Sequence, residues 1–292
     1  MENIRKFIFD TDIGPDCDDC GALAIMDTYH KAGKIELLGV THCTSDKLGV
    51  NVIAAIHDHF GVSTPIGQTD REGFLTAATK YTKPVSELYL QNHPAPVYET
   101  ALPLLRRLLA ENRHVTMVFV GPLNNMKDLL RSGGDEISPL TGEELIRQSV
   151  DQVIVMGGDF EFFDHKEYNI ECDVEAAQLM AEKCAAPIVY CGHEAGRDVM
   201  TGATLEACPD DHPVKLSYYY YLDGKFIRNS WDLVTVYYAV EPELVKWILS
   251  DECSVRFHDD GRTVVSEGTG ARYVRYADER ELEGILNEII AK

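Results

Sequence analysis

Short, wholly apolar runs alternate along this chain with stretches whose apolar residues recur at helical spacing. Lys6–Phe9 reads as a strand and Gly21–Lys31 as the helix that follows it. Ile35–Thr41 is a second strand, and Leu48, Val52, Ile53 and Ile56 mark a second helix. Val97, Ala101, Leu104, Leu105, Leu108 and Leu109 predict another helix before the unbroken strand Val115–Val120, which Gly121-Pro122 ends. Gln152–Met156 and Pro187–Cys191 repeat the pattern, with a helix over Val174–Cys184 between them. Strands that are apolar on both faces and alternate with helices need a parallel sheet covered on both sides. The expected class is α/β, an open and mostly parallel sheet with helices on both faces.

Past Ser217 the pattern changes to small helical and β additions. Helices are expected over Tyr218–Tyr221 and Asp232–Ala239, and short strands near Ser254–Phe257, Thr263–Ser266 and Tyr273–Tyr276. A last helix runs through Leu282, Ile285, Leu286 and Ile289. The turn-rich segment Ser132–Gly142 is too short to divide domains, so residues 1–292 are expected to form a single domain.

Charge narrows the function. Lys and Arg number 27 against 48 Asp and Glu, a net −21. That excess disfavours nucleic acid and anionic lipid as partners, since both need clustered cations. No apolar run approaches the roughly 18 residues of a membrane helix. The chain enters its first strand without a secretion-type apolar core, so the cytoplasm is the expected compartment. The eight cysteines fit that compartment, and six of them, Cys43, Cys172, Cys184, Cys191, Cys208 and Cys253, are scattered and read as reduced core residues. Cys17 and Cys20 form a C-x-x-C, but its two inner residues are aspartates and no second pair completes a zinc site, which argues against redox or zinc use.

In open parallel sheets, ligands bind beyond the carboxyl ends of the strands. After the first strand stands Asp10-Thr11-Asp12-Ile13-Gly14-Pro15-Asp16-Cys17-Asp18-Asp19. Gly14-Pro15 turns the chain back, and Asp18-Asp19 opens the next helix. Carboxylates confined in this way repel one another unless one is protonated or a cation joins them. An oxygen-only set suits a hard ion, Ca²⁺ or Mg²⁺.

These residues resemble the inosine–uridine-preferring nucleoside hydrolase family, in the elements Asp-Thr-Asp-Ile-Gly and Asp-Asp-x-x-Ala-Leu between Phe7 and Leu23. Val120-Gly121-Pro122-Leu123-Asn124-Asn125 looks like the family's Gly-Pro-Leu-Thr-Asn segment, and Val155-Met156-Gly157-Gly158 like its Met-Gly-Gly turn. Glu167-Tyr168-Asn169-Ile170 with Asp173 and Glu175-Ala176-Ala177 is similar to its Glu-Phe-Asn-Ile…Asp-Pro-Glu-Ala-Ala run, and Ser230-Trp231-Asp232 stands at its last metal-ligating segment. The resemblance implies a Ca²⁺-dependent hydrolase, a homo-oligomer, that cleaves the N-glycosidic bond of ribonucleosides to ribose and free base with a metal-activated water. It implies that Asp12 ligates Ca²⁺ and takes the water's proton. Asp19, the Val120 carbonyl and Asp232 would complete the protein ligands. Asp18 would bond a ribose hydroxyl, Glu167 and Asn169 would hold the remaining sugar oxygens, and Asp10 would sit behind the ligands. The role of Asp16, in a longer first loop, stays open. An anionic cage of this kind suits the oxocarbenium character that develops on ribose.

Two departures matter. Purine-cleaving members place a His before the last Asp; here it is Trp231, which cannot give a proton at neutral pH but can stack on a base or wall the pocket. The remaining donors are His165, His193-Glu194 and Tyr218–Tyr221. After Thr41, where the family often has Gly-Asn against the ribose, this chain reads His42-Cys43-Thr44-Ser45-Asp46, so Asp46, or else Ser45, is expected to bind the sugar. These departures motivate an alternative, a metal-bearing riboside-binding protein without turnover. Phe7–Asp12 also looks like the Asp-x-Asp start of haloacid-dehalogenase-type phosphatases, which do not expect Asp18-Asp19, Glu167-Tyr168-Asn169 or Ser230-Trp231-Asp232.

Overall fold

A computed structural model describes residues 4–76, 79–162 and 164–292. The chain opens with β1 (Arg5–Thr11), α1 (Asp18–Lys31), β2 (Ile35–His42), α2 (Lys47–Phe60) and β3 (Ile66–Gln68). It continues through α3 (Thr82–Leu90), β4 (Glu99–Thr100), α4 (Ala101–Glu111), β5 (Val115–Phe119), α5 (Asn124–Arg131) and α6 (Gly142–Ser149). Next come β6 (Val150–Met156), α7 (Tyr168–Cys172), α8 (Val174–Lys183), β7 (Ile188–Cys191), α9 (His193–Arg197) and β8 (Met200–Thr201). The remainder is α10 (Pro213–Tyr221), β9 (Arg228–Asn229), α11 (Trp231–Val240), β10 (Ile248–Leu249), β11 (Cys253–Phe257), β12 (Thr263–Glu267), β13 (Ala271–Tyr276) and α12 (Glu279–Ile290).

One sheet runs in the order β12-β11-β13-β7-β6-β5-β1-β2-β3-β4, and β10 pairs with β13. From β4 across to β13 every neighbouring pair is parallel. In this sheet β11, β12 and β10 run antiparallel to their neighbours, and β8 pairs antiparallel with β9 in a separate two-stranded sheet. Both faces are covered, as the apolar strands require. In β1, Phe7 and Phe9 pack into the core on one face with α1 and α11, while Ile8 packs into the core on the other with α4 and α5 residues. The tail strands extend the sheet: β13 adds beside β7 in parallel register, Ala271 opposite Ile188.

Two helices differ from their expected starts: α10 begins at Pro213, before Tyr218, and α4 begins late. The apolar spacing from Val97 predicts a helix there, yet α4 starts at Ala101 and Val97 is exposed. Pro94 and Pro96 bias the preceding residues to extended backbone, and Thr100 is extended at the helix start.

Chain order turns round at the sheet's centre. From β1 the chain builds β2, β3 and β4 on one side, then returns to lay β5, β6 and β7 on the other. The carboxyl ends of β1 and β5 therefore flank a topological switch point, where open α/β sheets leave a crevice.

Candidate active site

A cleft of about 440 Å³ opens at that switch point. Its floor is the stretch that leaves β1. Asp12, Asp18, Asp19 and Asp232 all line it and are almost fully buried. Asp18 and Asp19 form the first turn of α1, and Asp232 lies in the first turn of α11, so two helix N-termini, favourable places for negative charge, meet the cleft. Carboxylate oxygens of Asp18, Asp19 and Asp232 lie within 4.8 Å of one another. Asp19 Oδ1 accepts from the Asp12 N–H at 3.2 Å and from the Thr11 hydroxyl, and Asp18 Oδ2 accepts from the Asp232 N–H at 3.1 Å.

Burial pushes all four carboxyls well above the usual range, and their mutual repulsion adds to it. The largest charge effect on Asp12 and on Asp232 is Asp18, and on Asp19 it is Asp12. Behind them Asp10 accepts from Thr41 and from Asn125 of α5 at 2.7 Å, and its Oδ1 has no partner. Burial raises its carboxyl to about 7. Gly121 is what lets the chain after β5 cross this floor, because a Cβ there would meet Asp12 Oδ1 at 2.6 Å.

The adjoining wall comes from β5 and from the segment after β6. Val120, Glu167 and Asn169 line the cleft. The Val120 carbonyl accepts from Asn169 Nδ2 at 2.8 Å. Glu167 caps the one-turn α7, accepting from the N–H groups of Asn169 (2.8 Å), Ile170 (3.1 Å) and Gly158 (3.2 Å). Burial nevertheless lifts its carboxyl to about 7.

Aromatic and cationic groups form the far side. Trp231 lines the cleft and donates Nε1–H to the His193 carbonyl at 2.8 Å. Gly196 fits under it, since a Cβ there would meet Trp231 Cα at 2.3 Å. Arg228 lies 4.9 Å from the Trp231 ring and pairs with Asp16, while His193 stacks on Trp231 with centroids 5.6 Å apart. Asp16, whose role the sequence left open, thus holds a guanidinium at the cleft wall. His165, Lys166, Tyr168 and Tyr221 complete that side.

The structure does not bring Asp46 to the cleft. Its carboxylate caps α2, accepting from the Leu48 N–H at 3.0 Å and the Thr82 hydroxyl at 2.7 Å, which uses the acceptor expected for ribose. Ser45 and His42 are likewise outside the lining. Ser45 donates to the Arg71 carbonyl, and buried His42 bridges Ile13 O (2.9 Å) and Gln68 (3.0 Å). Glu194 accepts from the Phe160 N–H at 3.2 Å away from the cleft. Cys17 and Cys20 are buried; burial, with the neighbouring aspartates, holds both thiols protonated, Cys20 at about 12.

Sequence reasoning missed Arg228 and Asp159. An arginine in the two-residue strand β9, between two helices, carries no pattern. Asp159 directly follows Gly157-Gly158 at the end of β6, where ligand-facing residues gather, so its position was a usable signal.

The family model for inosine-uridine preferring nucleoside hydrolases matches residues 7–283. This chain belongs to that family. Among solved structures, the inosine-uridine preferring nucleoside hydrolase from Bacillus anthracis superposes with a TM-score of 0.77 at 18% identity, over 99% of both chains. An inosine-guanosine nucleoside hydrolase gives 0.70 at 19% identity, over 98% of both chains. The type III effector protein XopQ, complexed with adenosine diphosphate ribose, gives 0.71 at 15% identity, over 100% of this chain and 94% of that one. At these identities the likeness shows a shared fold. Among curated proteins, none matches the sequence significantly. The family match favours the hydrolase resemblance of the first strand over the phosphatase one.

Proposed function

We propose that this protein hydrolyses the N-glycosidic bond of ribonucleosides with the help of Ca²⁺. The observation that carries this reading is the set of buried carboxylates at the β1 end, facing Glu167 and Asn169 across one cleft. Carboxylates buried this closely fit a divalent cation, because ionising them together needs compensating charge and oxygen donors suit Ca²⁺. Asp12, Asp19, the Val120 carbonyl and Asp232 would hold it, and when bound it would supply Lewis acidity that lowers the pKa of a water and orients a sugar diol.

The chain's own residues do the rest. Asp12 takes the proton of the attacking water. Asp18, Glu167 and Asn169 bind the ribose hydroxyls, and the carboxylates of Asp18 and Glu167 stabilise the cationic sugar as the bond to the base lengthens. Trp231 stacks on the base or walls its pocket. The continuous sheet supports a single domain, the resemblance to the family a homo-oligomer, and the reduced cysteines a cytoplasmic setting.

The test is hydrolysis of inosine, uridine and p-nitrophenyl riboside with Ca²⁺ and with chelator. Calcium-dependent turnover of p-nitrophenyl riboside supports the reading, and none with any substrate removes it. One observation favours a second reading, a riboside-binding protein without turnover: Trp231, in the place of a proton donor, has its only N–H engaged by the His193 carbonyl. Saturable riboside binding by an inactive wild type would select it.

A further inference from the structure

Three groups that the reading above does not use meet at the rim of the cleft. Asp159 follows β6, His165 lies in the loop before α7, and His193 opens α9 after β7. Their ligating atoms lie within 4.8 Å of one another. Asp159 is fully buried. Its Oδ1 accepts from the N–H groups of Glu161 (3.0 Å) and Phe162 (2.6 Å), which fixes the carboxylate in a turn. Its Oδ2 accepts from His165 Nδ1–H at 2.8 Å and lies 3.7 Å from His193 Nδ1, which has no hydrogen-bond partner. The imidazoles are 4.6 Å apart, and both line the cleft on the side of Trp231.

A buried carboxylate is costly without a cation. No Lys or Arg pairs with Asp159 among the described residues, and the two groups within ion-pair reach are these imidazoles. An imidazole held at Nδ1 by a carboxylate keeps its Nε2 free to transfer a proton. Departure of a nucleobase calls for a proton donor at its end of the cleft, and Trp231 cannot be one.

We propose that His165 is the acid that protonates the departing base, with Asp159 as the residue that positions it and His193 flanking it beside Trp231. This rests on the hydrolase reading. In the step, the imidazolium gives its Nε2 proton to a ring nitrogen or exocyclic oxygen of the base. The bond from the anomeric carbon to nitrogen breaks, and its electron pair goes to the base. Water adds to the anomeric carbon, and Asp12 takes its proton. Solvent then reprotonates His165 and deprotonates Asp12, so that one water is consumed. The preferred substrates are nucleosides whose base leaves poorly unless protonated.

The test compares inosine with p-nitrophenyl riboside, whose leaving group departs without strong protonation. His165→Gln, a partly exposed position, is expected to lower kcat for inosine by about 10²–10⁴-fold with little change in KM, and to lower p-nitrophenyl riboside turnover far less. Asp159→Asn should show the same split between substrates, weaker than His165→Gln, with the drop in kcat and not in KM. Equal losses on both substrates, a loss in KM alone, or a copurifying transition metal that His165→Gln releases would each overturn the assignment while leaving the hydrolase reading standing. A wild type inactive on inosine, uridine and p-nitrophenyl riboside alike would remove the hydrolase reading and this inference with it.

Discussion

The protein buries charge in two opposite ways. Beside α5 and α8, Lys127 is almost wholly buried, and its ammonium bonds both oxygens of Asp173 at 2.8 and 2.7 Å. Arg71 joins Asp173 at 2.6 Å, and Glu175 joins Lys127 at 3.3 Å. Burial alone would raise the Asp173 carboxyl, but Lys127, the Ala176 N–H and Arg71 outweigh it and hold it below its usual value. Arg106 follows the same rule, donating to Asp135, Ser132, Ser138 and Leu140. At the switch point the balance is absent. Asp12, Asp18, Asp19 and Asp232 crowd together, the nearby Arg228 is paired with Asp16, and every one of the four is held well above the carboxylate range. Charge buried for structure is matched within the chain. Charge left unmatched in a cleft marks a candidate functional site.

Four experiments sharpen or break that contrast. Asp12→Asn should have the largest effect, lowering kcat/KM for p-nitrophenyl riboside by more than the roughly 10²–10⁴-fold of a lost general base, because Ca²⁺ binding weakens as well. In the metal-free protein the same change should raise the melting temperature, since it removes one repelling charge. A fall would show that the cluster is balanced internally and that the contrast is false.

Lys127→Met should do the reverse. It strands the buried Asp173 charge and should cost about 3–5 kcal/mol in a denaturant titration. Activity below the melting transition should change little, because Lys127 does not line the cleft.

The third experiment is pH. Burial raises Asp10 from 3.8 and Glu167 from 4.5, each to about 7 in the folded protein. The native state therefore keeps protons that the unfolded chain has already released. Stability without metal should fall as pH rises from about 4 to about 7, and the raised carboxyls of Asp12, Asp18, Asp19 and Asp232 add to the fall. Ca²⁺ should restore it at neutral pH, by about 2.7 kcal/mol at a hundred times its dissociation constant, and do less as acid protonates the ligands. Calorimetry across pH 4–8 with and without Ca²⁺ checks both signs.

Trp231→Ala should be the mildest, changing the inosine-to-uridine ratio of kcat/KM by roughly tenfold, on the scale of one aromatic contact. Equal losses on inosine, uridine and p-nitrophenyl riboside, with fold and metal binding intact, would place Trp231 in the chemistry and not in base choice.

The chain itself determined the sheet and its acidic end. Phe7, Ile8 and Phe9 are apolar on both faces, which only a covered parallel strand accommodates, and Asp10 and Asp12 stand where such a strand must leave the core. Glu167 and Asn169 were legible through the family's motif, since alone they read as any loop pair. Asp46 shows the limit of local reading. A carboxylate before a helix can serve as cap or as ligand, and only the packing of Thr82 and the Leu48 N–H around it decided for the cap. The cleft's far side was likewise decided in three dimensions. Asp16 meets Arg228 from the other end of the chain, and Asp159, His165 and His193 converge because β6 and β7 pair in parallel and end together. Periodicity follows from contacts that each residue makes with its own element, so it is written locally. Which carboxylates stay unpaired depends on what every other element places beside them, and only the assembled sheet settles that.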